Sequence, residues 1–349
     1  MPDPSNKLRK TTSPLEQPQE FAAKLVAWFR EGGKDYPWRR TRDPYAVLVS
    51  ELMLQQTQIA TVLARGYFEN WMAKFPTPSA LAAAPEEKIL KAWEGLGYYR
   101  RARNLQKAAV AIVEQYGGEF PRDIEDILAL PGVGKYTAGA VASFAFGDPA
   151  PIVDGNVARV LARLFDFHEE IDSTAGGRQL WDWAGQLVPA ASPREYNSGL
   201  MELGQTLCTV ADPTCAGCPV AGFCSTDTPG DLPKRRPRAK TTRVDEHVRL
   251  VWHDNQILLE QESGKRREGL WKLPELPEAR IGVCELVHEM KYSITRYRVT
   301  LRVYADRQGR TPLADGQAWF SQAELAELAM PSPYRKALVA IADSGRIFG

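Results

Sequence analysis

The segment "CTVADPTCAGCPVAGFC", residues 208–224, holds four cysteines in 17 positions, and the rest of the 349-residue chain holds one more, Cys284. Thiols this dense are bonded either to one another or to a metal, and both choices demand a tight, irregular loop. The polar start "MPDPSNKLRKTTSPLEQPQE" has no hydrophobic signal core, so the expected setting is a reducing one, the cytoplasm, and a metal is expected in place of a disulfide framework. The spacing is C-x6-C-x2-C-x5-C, at Cys208, Cys215, Cys218 and Cys224. Structural zinc often uses paired C-x2-C units, of which there is one here; four thiolates at uneven intervals suit an iron–sulfur cluster at least as well. Spacing alone leaves both metals open.

Around this loop the chain changes character. Residues 1–19 are polar and Pro-rich and read as a mobile tail. Residues 20–229 carry helical periodicity, from "FAAKLVAWFREGG" through "DPYAVLVSELMLQQTQIATVL" and "YYRRARNLQKAAVAIVEQYGG" to "SPREYNSGLMELGQTL", with Pro and Gly at nearly every joint. The linker, 230–243, includes "LPKRRPRAKTTR", with six Lys or Arg and no acid: a solvated connection, or one lying beside phosphates. Residues 244–349 switch to strand-like runs such as "QILLEQ" and "ITRYRVTLRVYAD", followed by two short helices. The expected architecture is an all-α domain followed by a smaller α+β domain. The net charge of +1 advertises no nucleic acid, and no apolar run approaches the roughly 18 residues that span a membrane.

Three positions suggest chemistry. Gly132 and Gly134 in "LPGVGKYTAGAVASFAFG" flank a turn just before a helix, where exposed N–H groups favour an anion. The plain reading is an ordinary helix joint. The preceding "PRDIEDILAL" favours a helix–hairpin–helix, which holds DNA by its phosphates. Glu51 sits in "VLVSELML", where apolar neighbours should raise its pKa; it is either a satisfied core acid or a general acid protonated near neutrality. Asp154, in "PIVDGNVARVL", is an N-cap by position, and a helix start favours its ionised form. Two acids pushed toward opposite states suit cleavage of a glycosidic bond, but the sequence does not show that they meet.

The motifs "PWRRTRDPYAVLVSELMLQQTQ", "KAWEGLGYYRRARNL", "LPGVGKYTAGAVASFAF", "VDGNVARVLARLF" and the cysteine set, in this order, resemble the adenine DNA glycosylase (MutY) family of the endonuclease III, helix–hairpin–helix superfamily. The resemblance continues through "GLWKLPELP" and "MPSPYRKAL". It implies a 4Fe–4S cluster on the four cysteines, bracing DNA-binding structure, and a Nudix-like fold for the α+β domain. It implies a monomer acting on double-stranded DNA and removing adenine opposite 8-oxoguanine or guanine after flipping it out. By the same resemblance Glu51 protonates adenine N7 and Asp154 stabilises the oxocarbenium or briefly bonds to it. Tyr136 and Asn156 orient this pair, and Trp38 and Arg39 form part of the adenine pocket. Gln56, Thr57 and Tyr98 meet the duplex, with Gln56 and Tyr98 wedged into it, and Ser293 meets the opposite base. Tyr136 stands where bifunctional relatives carry a Lys nucleophile. Lys135, one residue earlier, points about 100° away on a helix, so the resemblance implies a monofunctional enzyme.

The chain departs from relatives in places. Its first cysteine loop, "TVADPT", lacks their basic residues, and Ser198 replaces a Gln or Glu. Tyr292, Ser293 and Ile294 replace Phe, Ser and His, and no Nudix metal-binding box is present. The alternatives are a mismatch thymine or uracil glycosylase and a non-catalytic iron–sulfur DNA-binding protein.

Overall fold

A computed structural model describes residues 15–237, 239–264, 267–307 and 312–345. Residues 1–14 of the expected tail and Arg238 of the basic linker lie outside the described residues. The chain divides into two compact units, and neither is continuous in sequence: Met1–Glu51 joins Glu119–Pro237, and Leu52–Gly118 joins Arg238–Gly349.

The helices, in chain order, are α1 (Pro18–Gly32), α2 (Pro44–Leu54), α3 (Ile59–Ala64), α4 (Tyr67–Lys74), α5 (Pro78–Ala82), α6 (Glu86–Ala92), α7 (Arg100–Tyr116), α8 (Ile124–Ala129), α9 (Lys135–Val141), α10 (Gly155–Leu164), α11 (Thr174–Leu187), α12 (Pro193–Thr206), α13 (Gln322–Glu327) and α14 (Ser332–Asp343). The expected single run "DPYAVLVSELMLQQTQIATVL" is broken in two: α2 stops at Leu54, and Gln56 takes the left-handed conformation, φ 56°. A polar "QQTQ" with no apolar side chain to bury has nothing to hold it in the helix. Asp43 starts α2 as expected, its Oδ1 accepting from Tyr45 N at 3.0 Å.

In the first unit α1 buries Phe21, Ala22, Leu25 and Val26, a helical stripe, and ends at its glycines. Leu15, just before it, is already part of this core. α8 and α9 form the helix–hairpin–helix: Asp123 caps α8, and Gly132 turns the chain at φ 78°. After α9 the helix loosens into a π-helical turn over Ala142–Phe146. Two close approaches need glycine. A Cβ on Gly139 would overlap Pro151 O, and one on Gly204 of α12 would sit 2.7 Å from Asn156 Cβ. These positions let α9 and α12 close on the segment that carries Asp154.

In the second unit, Ala102, Leu105, Ala108 and Ile112 form the buried stripe of α7, which packs against α5. Its C-terminal part has seven strands: β1 (Thr242–Leu250), β2 (Trp252–His253), β3 (Gln256–Gln261), β4 (Trp271–Lys272), β5 (Glu285–Ile294), β6 (Tyr297–Ala305) and β7 (Gln317–Ser321). One sheet runs β1-β6-β5, with β1 parallel and β5 antiparallel to β6; the other runs β2-β3-β4, with β7 also on β3. The run "ITRYRVTLRVYAD", expected as one strand, contains a hairpin: β5 ends at Ile294, and Thr295 turns at φ 52°. Thr295 and Arg296 carry no Gly, Pro, Asn or Asp to mark the turn. The strands enclose Val248, Leu250, Ile257, Leu259, Leu301 and Val303, under Tyr334, Leu338 and Ile341 of α14. This C-terminal part is fastened to its helical partner by named bonds. Arg335 donates to the Glu94 carboxylate at 2.7 and 3.1 Å, Lys91 bonds Leu328 O at 3.2 Å, and Tyr99 OH bonds Met330 O at 3.3 Å.

Candidate active site

Glu51 and Asp154 belong to the same unit, and the charge of Asp154 reaches Glu51. Glu51 lies late in α2 among Leu48, Val49 and Leu52 and is 5% exposed. Burial pushes its carboxyl up to about 7; a hydrogen bond from Tyr136 opposes this, the Asp154 charge adds to it, and Arg39 opposes it. The Tyr136 hydroxyl donates to Glu51 Oε2 at 2.7 Å, and the Met201 sulfur lies 4.0 Å from that hydroxyl. Burial and the two neighbouring carboxylates push the Tyr136 phenol well above its ordinary range, so it remains a donor.

Asp154 caps α10. Its Oδ1 accepts from Asn156 N at 3.0 Å and Val157 N at 2.7 Å, and its Oδ2 from Asn156 Nδ2 at 3.0 Å. The Asn156 Oδ1 in turn accepts from Arg159 at 2.9 Å, which fixes the amide. The helix start was expected to favour the ionised form. Here burial raises Asp154 above its ordinary value, while the Val157 and Asn156 N–H groups and Arg159 pull it back. The two acids therefore do not move in opposite directions. They differ in support: three N–H donors hold Asp154, and one hydroxyl serves Glu51.

Lys135 is turned away from these acids, its Nζ 4.2 Å from the centre of the Trp181 ring. Trp38 is buried and stacked on Tyr36, with ring centres 5.2 Å apart. Arg39 bonds Lys34 O at 2.8 Å and pairs with Glu202, a buried carboxylate that also accepts from Lys34 N at 2.9 Å. Arg194 holds the same loop through Arg39 O at 2.6 Å and Thr41 O at 2.8 Å. Glu202 and Arg194 were not singled out from sequence. Glu202 falls on the buried face of α12 beside Leu203, an odd place for an unpaired acid, and that was the available signal.

The hairpin glycines Gly132 and Gly134 are exposed. So are Gln56 and Tyr98 in the second unit, both left-handed (φ 56° and 46°), with Tyr98 44% exposed. One side chain organises both turns. Arg101, 7% exposed, donates to Leu52 O at 2.8 Å, Met53 O at 3.0 Å, Gln55 O, and Thr57 Oγ1 at 3.1 Å. It also donates to Leu96 O at 2.9 Å and Gly97 O at 3.1 Å. Ser293 is exposed on β5, while its neighbour Tyr292 turns to the other face and bonds Glu246 at 2.7 Å and Arg267 at 2.9 Å.

The cysteine loop hangs on α10. Arg163, 1% exposed, donates to Cys208 Sγ at 3.2 Å, Thr209 O at 2.7 Å, Val210 O at 3.2 Å and Leu232 O at 3.1 Å. Arg159 bonds Cys208 O at 2.8 Å. All four loop cysteines are free thiols, and Cys284 is a fifth, apart from them in the C-terminal segment. Among the described residues no three His, Cys, Asp or Glu side chains are close enough to enclose one metal ion. Burial raises the Cys218 thiol, and the charges of Cys208, Cys224 and Cys215 add to this. Cys208, Cys215, Cys218 and Cys224 would hold a thiolate-bound metal group, and the buried Arg163 cation beside Cys208 suits the negative charge such a group would carry.

Comparison with known proteins follows this geometry. Residues 49–186 match the family described as "HhH-GPD superfamily base excision DNA repair protein". The adenine DNA glycosylase of Mycobacterium tuberculosis (strain ATCC 25618 / H37Rv) is 41% identical over 233 residues, covering 64% of this chain and 74% of that protein. The chain belongs to the adenine DNA glycosylase family. The human adenine DNA glycosylase is 48% identical over 213 residues, which is 58% of this chain and 39% of the human protein. Among solved structures, a thermostable thymine-DNA glycosylase matches with TM-score 0.54 at 32% identity, covering 60% of this chain and 95% of that one. Endonuclease III in a trapped covalent DNA intermediate matches with TM-score 0.50 at 28% identity, covering 60% and 95%. The chain spans about two fifths of the length of the mammalian relatives it matches.

Among the described residues no helix is long and apolar enough to cross a membrane.

Proposed function

We propose that this chain is a monofunctional base-excision-repair glycosylase that releases adenine from double-stranded DNA, acting on mispairs with 8-oxoguanine or guanine. The observation that carries the reading is Glu51: a buried carboxyl lifted to about 7 and bonded by the hairpin-helix tyrosine, within electrostatic reach of a capped aspartate. A carboxyl poised there is half protonated near neutrality, as a general acid requires. It delivers its proton to adenine N7, and the electrons of the base–sugar bond leave with the base. Tyr136 donates to the carboxylate that remains, which eases proton release. The cation left on the sugar faces Asp154, which counters its charge or bonds to it briefly. Glu51, now a base, activates the water that completes hydrolysis. The opposite base is read by the Nudix-like C-terminal part, with Ser293 as the polar contact.

A base-release assay on A:8-oxoguanine, A:G, T:G and U:G duplexes tests this. Adenine should leave the first two, the strand should stay unbroken, and borohydride should trap no adduct, since Tyr136 has no amine and Lys135 lies over Trp181. Release of thymine or uracil instead would move the chain to the mismatch branch. No release from any duplex would make it a non-catalytic DNA binder.

We also propose that Cys208, Cys215, Cys218 and Cys224 hold one 4Fe–4S cluster. Its bound role is a rigid crosslink of the loop that Arg159 and Arg163 tie to α10. Metal analysis should find about four irons and matching sulfide per chain, with none lost on Cys284→Ser. One tightly held zinc without sulfide would refute the assignment.

A further inference from the structure

The outer face of the β1-β6-β5 sheet is electrostatically unbalanced at one end. Side chains alternate along a strand, so Val244, Glu246 and Val248 face one way while Arg243 and Asp245 face the other. Register puts Arg243 directly opposite Arg298 across β1 and β6, and Ser293 opposite Arg298 across β6 and β5. Lys291 pairs with Thr300 one step along the same face. Like charges directly opposite on neighbouring strands repel. Farther along, the face is neutralised: Arg302 bonds Asp245 at 2.9 Å and Glu289 at 2.7 Å. Among the described residues no carboxylate pairs with Arg243, Arg298 or Lys291. Asp245, the acid beside them, is already taken by Arg302. The three cations, with Ser293, Thr300 and the Arg302-paired Asp245, line an open hollow of about 550 Å³.

Edge strands often carry Lys or Arg to block unwanted pairing. That explains Arg243 on β1 and Lys291 on β5. It does not explain Arg298, because β6 is the central strand and both its edges are paired. An anion in the hollow would remove the repulsion that the sheet otherwise carries. Two guanidinium forks and a hydroxyl match a phosphodiester, which takes bidentate N–H donors from Arg and a single bond from Ser.

We propose that Arg243, Arg298 and Lys291 form a phosphate-binding surface that grips the DNA backbone. This rests on the reading of the chain as a DNA glycosylase and extends it: Ser293 then reaches nucleic acid from within a cationic hollow, and backbone grip rather than base contact supplies most of the binding there. The test uses the full chain and a short undamaged duplex, so that no base is released during the measurement. Dissociation constants are measured across a salt series. The Arg243→Gln, Arg298→Gln double variant should flatten the slope of log affinity against log salt by about two and weaken binding at least about tenfold near 0.1 M salt. Lys291→Gln should flatten it by about one. Arg307→Gln, whose partner Glu285 lies at the far end of β5 from Ser293, should leave the slope unchanged. The double variant should melt no lower than the wild type, because the substitutions remove a repulsion. An unchanged slope in the double variant with normal melting overturns the proposal, and so does an equal loss in Arg307→Gln. If the slopes behave as stated but no duplex loses adenine, the surface stands and the glycosylase reading fails.

Discussion

Glu51→Gln should slow adenine release about 10²–10⁴-fold and, in the same protein, raise stability above about pH 7. An amide cannot deliver a proton, yet it fills the same space and can still accept from Tyr136, 2.7 Å away. The stability effect follows from the pKa. Glu51 titrates near 7 in the fold against an ordinary 4.5. Between those values the folded chain holds a proton that the unfolded chain has released. Stability therefore falls as pH rises from about 4.5 to 7, and the loss is complete above that. A gap of this size corresponds to about 3 kcal/mol. Denaturant unfolding should show the variant and the wild type nearly equal near pH 5, and the variant ahead by about that amount near pH 8. The wild-type single-turnover rate should decline over the same upper range as the acid loses its proton. A stability difference independent of pH would mean that Glu51 is not lifted by burial. A variant with near wild-type release would remove Glu51 from the chemistry.

Arg101→Met should be the most damaging substitution outside the pair of acids. The guanidinium satisfies six acceptors from two turns, five of them main-chain carbonyls. Methionine fills much of the volume and satisfies none. Buried acceptors left without partners cost about 1–3 kcal/mol each, reduced where water can reach them, so a loss on the order of 3 kcal/mol is expected. Gln56 and Tyr98 ride on those turns in left-handed conformations that need outside support. Adenine release at saturating enzyme should fall by tenfold or more while affinity for undamaged DNA changes little, because the proposed phosphate-binding groups lie on β1, β5 and β6. Arg101→Lys keeps the charge but cannot span both turns, so it should recover only part of the stability. Full release activity in Arg101→Met would show that the turns hold their shape without the clasp.

The two candidate acids were visible in the sequence because each sits in a telling local context: Glu51 in an apolar helix, Asp154 at a helix start. Their proximity was not, since it depends on Gly139 and Gly204 letting α9 and α12 close in. The balance of forces on Asp154 was also misread. A capped carboxylate looks ionised from sequence, but burial is a three-dimensional quantity, and here it opposes the cap. Arg101 was legible in principle: 101, 105, 108 and 112 follow the buried stripe of α7, so it points inward while Arg100 does not. The run "YYRRAR" reads at first as a solvated basic face. The hairpin between β5 and β6 was hidden because Thr295 and Arg296 fit a strand as readily as a turn. Which cations on that sheet lack partners could be learned only from register.

The discontinuity of the second unit has a consequence during synthesis. Residues Leu52–Gly118 leave the ribosome well before Arg238–Gly349, with which they form one compact body. At roughly 5–20 residues per second the interval is ten seconds or more. Throughout it, Glu94 has no Arg335, and Tyr99 has no Met330 carbonyl to meet. The nascent chain must wait with these groups in water or on a chaperone, and a stall in the linker would leave the helices that carry Tyr98 without the strands and α14 that later hold them.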